Sequence, residues 1–120
     1  MKETKSTNPE LIKLIRFLKK QSRENKKGIW LDVAEYLAKP RTGATAVNLS
    51  RINRHTQKND VVVVPGKVLG TGKIDHPITV AAFTASAKAR EKLKATKAKY
   101  ISITELVEEN PKGINVKIIR

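Results

Sequence analysis

The stretch from Asp60 to Asp75, DVVVVPGKVLGTGKID, sets four consecutive valines before a loop holding Pro65, Gly66, Gly70 and Gly72, with lysines at 67 and 73. A strand followed by glycines and a lysine is the pattern with which nucleotide hydrolases cradle phosphates. Glycine lets backbone N–H groups approach the anion and lysine neutralises it. That chemistry needs G-x-x-x-x-G-K followed by Ser or Thr, between a strand and a helix. Counting back five places from Gly72 reaches Lys67 rather than a glycine. Ile74 follows Lys73, so no hydroxyl is offered to Mg²⁺, and DHPITV reads as a turn into a strand, not a helix aimed at a phosphate. The stretch instead supports a glycine-rich connection leaving a buried strand that Pro65 ends. Lys67 and Lys73 would flank any phosphate that approached its backbone.

Other catalytic groupings are thinner. The chain has no cysteine, which removes disulfides, thiolate zinc sites and cysteine nucleophiles. His55 stands among Arg51, Arg54 and Lys58, which repel a metal cation, and His76 precedes Pro77 with Asp75 as its nearest acid. Two separate histidines without cysteine or paired carboxylates do not make a metal site. Asp32 with Glu35, and Glu108 with Glu109, have no nucleophile or base close in sequence and read as solvated faces. No Ser-His-Asp arrangement suggests itself. Neither catalytic residues, nor a metal, nor a cofactor is expected.

Positive charge is the chemistry that remains. Lys19, Lys20, Arg23, Lys26 and Lys27 crowd nine residues, and Arg41 leads a Thr-Gly loop. Arg51, Arg54 and Lys58 follow, and Lys88, Arg90, Lys92, Lys94, Lys97 and Lys99 run through one segment. One such run is usually a solvated face. Four in a small chain point to a polyanion, because each neutralised phosphate releases counterions. Lys and Arg total 25 against 11 acids, a net charge of +14. The excess is spread along the chain, with 14 basic and 6 acidic residues in 1–60 and 11 and 5 in 61–120. The expected RNA-binding set is the first three runs together with Lys67, Lys73, Lys88 and Arg90. Phe17, Trp30, Tyr36, Phe83 and Tyr100 are the only aromatics, and several fall on apolar stripes. Phosphates and RNA shape, more than base edges, should then carry recognition.

These side chains must be held by local structure that the pattern predicts. STNPELIKLIRFLKK opens as a helix, with Thr7 or Asn8 as cap, Pro9 in the first turn, and Leu11, Leu14, Ile15 and Leu18 as an apolar stripe. It continues through QSRENKKG, where Gly28 should stop it. A second helix is predicted over IWLDVAEYLAKP, ended by Pro40. Val47 and Leu49 begin a short strand that turns into the helical or irregular SRINRHTQKN. Val61 to Val64, four β-branched residues without alternation, predict a strand buried on both faces. Ile78 to Phe83 reads as a strand, SAKAREKLKATKAK as a helix capped by Ser86 or Thr84, and YISI as a strand. Ser102 and Glu105 have capping-box spacing for a short helix, and INVKIIR alternates as a last strand. The expected fold is α/β, a partly parallel sheet with helices, preceded by a helical basic N-terminal extension. It forms one domain over 1–120, with 1–45 packed on a β/α layer of 46–120.

With 120 residues and 39 % hydrophobic residues, the chain is sized for one core. No secretory-type apolar segment opens it, and its longest apolar run, Val61 to Pro65, is far below the roughly 20 residues a membrane span needs. An intracellular, cytoplasmic protein is expected, with no membrane and no small-molecule substrate among its partners.

Taken together, VNLSRINRHT, DVVVVPGKVLGTGKID, ITVAAFTASAKAREKL and NPKGINVKIIR resemble the archaeal and eukaryotic large-subunit ribosomal protein eighteen-e family. That family is similar to bacterial ribosomal protein fifteen in its C-terminal portion. The likeness covers most of the chain, GIWLDVAEYLAKPR included, and VVPGKVLGTG with the alanine-rich helix is its most specific part. The length is similar to that of the archaeal members. The chain departs from the pattern after that helix, where ATKAKY stands in place of a glycine pair. The resemblance implies a non-catalytic, ribosome-bound component that binds and stabilises large-subunit rRNA and touches neighbouring large-subunit proteins. A nucleotide-binding enzyme using the glycine loop, and a free-standing nucleic-acid or chromatin-binding protein, are the alternatives from other classes.

Overall fold

Val62 and Val64 face one way and Val63 the other, and all three are fully buried, so the valine run lies between two layers. The computed structural model describes residues 9–26, 28–38 and 46–120. Its elements are α1 (Pro9–Asn25), α2 (Gly28–Ala38), β1 (Ala46–Asn48), α3 (Leu49–Arg54) and β2 (Val61–Leu69), then β3 (Thr79–Ala85), α4 (Ala87–Ala95), β4 (Lys99–Ser102), α5 (Ile103–Glu109) and β5 (Val116–Ile118). The strands form one sheet in the order β1-β2-β3-β4, and every pairing is parallel. The α/β expectation is met, with the sheet wholly rather than partly parallel among the described residues.

β2 is the hub. β3 pairs along one side of it, and its other side is shared, β5 pairing with Val61–Val63 and β1 with Lys67–Leu69. Pro65, which has no N–H to donate, sits in the gap between those two short partners. The β3 ladder shifts register at the same place, between Val64 and Lys67. The strand therefore runs on through Pro65 instead of ending there as the sequence suggested.

A parallel β2–β3 pair obliges the chain to travel back along the strand, usually through a helix. Here residues 70–78 make the return without one, and Ile74 and Ile78 are buried beside α3 and α4. The glycine-rich stretch is thus a crossover segment lying on the sheet. With α3 and α4 it covers one face, where Leu49, Ile52, Ala89 and Leu93 meet Val62, Val64, Val68 and Val80. α1, α2 and α5 cover the other face, where Leu11, Ile15, Leu18, Trp30, Val33 and Leu37 meet Val63, Ala81 and Ile101. Trp30 is fully buried there, and its indole Nε1 donates to the Pro111 carbonyl at 2.7 Å.

Local signals account for most boundaries. Ser86 Oγ accepts from Ala89 N at 3.1 Å, and Ser102 Oγ accepts from Glu105 N at 3.1 Å, so both predicted caps form. Gly28 opens α2 rather than stopping α1. The left-handed turn after α1 falls on Lys26, at φ 54°. Thr7, Asn8 and Pro40 lie outside the described residues.

Candidate nucleic-acid interface

The crossover segment is clamped from both sides. A Cβ at Gly70 would stand 2.9 Å from Lys88 Cβ, and one at Gly72 would stand 2.5 Å from Ser50 Cβ, with φ at +86°. Glycine is required at both places because the loop backbone touches α4 on one side and α3 on the other. The Ser50 N–H, which the helix leaves without an internal partner, donates to the Thr71 carbonyl at 3.1 Å. Asp75 N donates to Asn53 Oδ1 at 3.1 Å. From α4, Lys92 Nζ donates to the carbonyls of Gly70 at 2.6 Å and Gly72 at 2.7 Å. Two glycine carbonyls thus converge on a cation. A phosphate cradle needs the reverse, N–H groups converging on an anion.

Asp75, His76 and Thr56 form an acid–imidazole–hydroxyl line, with His76 Nδ1 2.7 Å from Asp75 Oδ1 and His76 Nε2 2.7 Å from Thr56 Oγ1. No sequence signal exposed it, because Thr56 and His76 come from different elements. The geometry is that of a nucleophile triad, but the Thr56 hydroxyl is buried and lies 2.8 Å from the Ile52 carbonyl, where it closes α3. The line fastens the end of α3 to the crossover. Hydrogen bonds from His76, and then from Asn53, hold the Asp75 carboxyl below its ordinary pKa.

The expected basic residues fall into separate groups. On α1, Lys20 and Arg23 are exposed and Lys19 is half-buried. Lys13 and Arg16, which are not in the expected set, are exposed in the same row, so that Lys13, Arg16, Lys20 and Arg23 stand at i, i+3, i+7 and i+10. Lys20 pairs with Glu24 at 3.9 Å. Lys26 is exposed beyond the helix, while Lys27 and Arg41 lie outside the described residues.

Across the sheet, Arg51 and Arg54 are exposed on α3, with Lys58 exposed just beyond it and Lys73 on the crossover. Lys88 is exposed on α4, whereas Arg90 folds back so that Nε and Nη2 donate to the Ala85 carbonyl at 3.2 and 3.1 Å. Lys67 precedes Val68, which is buried on the α3/α4 side. Strand alternation therefore turns Lys67 toward the α1/α2 side, away from Lys73. Arg51 lines an open groove of about 510 Å³ with His55, Lys117, Ile118, Ile119 and Arg120. Lys117 and Arg120 escaped the sequence reading, since β5 reaches α3 only through its place beside β2.

Among the described residues no cluster of three or more His, Cys, Asp or Glu side chains could hold a metal, and no helix is long and apolar enough to cross a membrane.

Comparison with known proteins settles the family. Residues 1–120 match the family described as ribosomal protein 60S L18 and 50S L18e. The large ribosomal subunit protein eL18 of Methanothermobacter thermautotrophicus is 47 % identical over 113 residues, covering 94 % of this chain and 93 % of that protein. The eL18 of Methanospirillum hungatei is 46 % identical over 114 residues, 95 % and 94 % of the two chains. That of Methanococcus maripaludis is 45 % identical over 119 residues, 99 % of each. The chain belongs to the L18/L18e family.

Members of the L18/L18e family are large-subunit ribosomal proteins, structural components and not enzymes. In a member of this family the clamped glycine segment and the Asp75–His76–Thr56 line have a structural role. They replace the missing crossover helix with a fixed segment and hold Lys73 at a set place on the surface.

Proposed function

We propose that the chain binds and stabilises large-subunit rRNA by neutralising phosphates on the two outer layers of its fold. Neighbouring large-subunit proteins are further partners, and its place is on the cytoplasmic ribosome. The supporting observation is the state of its exposed cations. The side chains of Lys13, Arg16 and Arg23 on one layer, and of Arg54, Lys73 and Lys88 on the other, make no ion pair or hydrogen bond with another described residue. Cations so placed repel one another, and a polyanion relieves that repulsion. The relatives' name as large-subunit proteins supports rRNA as that polyanion.

Filter binding to large-subunit rRNA across a salt series tests the reading. Replacing Arg41, Arg51 and Arg54 together by Gln should weaken binding and flatten the log–log salt slope by about 2–3, at 0.7–0.9 for each phosphate no longer neutralised. An unchanged slope would remove these residues from the interface. Absence of the protein from the large-subunit peak of a sucrose gradient would overturn the reading as a whole.

A further inference from the structure

The groove between α3 and β5 joins a concave shape to a basic and partly apolar lining. It is concave, with a volume of about 510 Å³, within the range of roughly 300–1,000 Å³ usual for small-molecule clefts. Arg51, His55, Lys117 and Arg120 bring charge or ring nitrogens to its walls, and Ile118 and Ile119 add an apolar surface. A ligand complementary to such a lining has an anionic part and a flat, weakly polar part. A nucleotide has both.

The walls are set in advance. Arg51 Nε donates to the Arg120 carbonyl at 3.2 Å. Lys117 Nζ is held by Asp60 Oδ2 at 2.8 Å, so its charge is already largely balanced. The Arg120 guanidinium lies 4.5 Å from the centroid of the Tyr36 ring. That contact holds the guanidinium near the ring, and unpaired RNA bases stack on arginine planes. Arg51 keeps the two terminal nitrogens of its guanidinium for a phosphate.

We propose, on the footing of the RNA-binding reading above, that this groove receives one unpaired nucleotide of a bound RNA. Its base stacks on Arg120 against Ile118, and its phosphate lies on Arg51 beside His55. A paired nucleotide cannot enter, because its base is already stacked and bonded within the helix. The site thus adds a preference for single-stranded or bulged RNA to a surface that otherwise reads phosphates alone.

Fluorescence anisotropy with two labelled RNAs tests this, using an oligoadenylate about 8 nucleotides long and a mixed-sequence duplex of about 16 base pairs. Arg120→Ala should weaken oligoadenylate binding by about 10-fold, within the range measured for losing one stacked base, and change duplex binding by less than about 2-fold. Arg120→Lys keeps the charge without the plane and should show the same selective loss. Arg16→Ala, on the opposite layer, should not discriminate between the two RNAs. Equal losses on both RNAs for Arg120→Ala, or none on the oligoadenylate, would overturn the proposal while leaving phosphate binding intact. Adenosine monophosphate displacing the oligoadenylate at equal nucleotide concentration would also overturn it, by showing a site for free nucleotides. If the wild-type protein bound neither RNA, the RNA-binding reading itself would fall.

Discussion

Two residues with positive φ show how far single positions can be read. Gly72, at +86°, lies against α3, so a Cβ there meets Ser50 Cβ at 2.5 Å and Ser50 N at 2.7 Å. Gly72→Ala combines backbone strain with a clash against helix backbone, and urea denaturation should show a loss of about 2–4 kcal/mol. Lys97, at +60°, is the opposite case. It is exposed, lies just past α4, and bears the left-handed cost of an L-residue. Lys97→Gly should stabilise the protein by up to about 1 kcal/mol, after the extra freedom of glycine in the unfolded chain is deducted. A loss would mean that the Lys97 side chain makes a contribution of its own. The sequence marked the glycines as special, but not Lys92, whose charge is spent on two carbonyls brought to it by the crossover. A lysine engaged by backbone and one facing solvent are identical in sequence.

At the scale of elements, what was legible is what is local. The apolar stripe of α1, the serine caps of α4 and α5, and the valine run all lie within a few residues of what they specify. The course of β2 through Pro65 was not, because a proline is tolerated only where the ladder changes partners, and those partners lie far along the chain. β5 depends on the same arrangement. Lys117 on β5 ties it to Asp60 at the start of β2, at 2.8 Å, beside the Val61–Val116 pairing. The Asp60 carboxyl is held below the ordinary 3.8, first by the Lys117 hydrogen bond and then by the Gln57 N–H. Its contribution is therefore complete above that value and lost as pH falls from about 3.8 through the lowered one. Thermal melts of the wild type should show stability falling in that acid range. Asp60→Asn should shrink the fall, although Asp75 retains its own share, and should leave the pH dependence near neutrality unaltered. A wild-type and variant pair with identical acid limbs would show that the Lys117–Asp60 pair does not hold β5.

The whole molecule sorts its charge in a way no linear reading displays. Along the chain the cations form four runs, but in the fold the α1 row occupies one outer layer, and Arg51, Arg54, Lys73 and Lys88 occupy the other, with the sheet between them. One RNA helix cannot lie along both layers at once without wrapping the domain. On the proposed RNA-binding role, two RNA segments, one for each layer, would fit the arrangement, and the protein would then act as a bridge rather than as a coat. This separates two variants that simple charge counting treats alike. Lys13, Arg16 and Lys20 changed to Gln remove most of one layer's cations, and Arg51, Arg54 and Lys88 changed to Gln remove most of the other's. Each should flatten the salt slope for total RNA binding by about 2–3, since each removes three cations. With donor and acceptor dyes on two separate large-subunit rRNA fragments, wild-type protein should bring the dyes together, and either triple variant should abolish the transfer while still binding one fragment. Transfer that survives in both variants would mean that a single layer gathers both RNAs. Transfer that falls only in proportion to affinity would mean that charge alone, not its division between layers, is what the fold supplies.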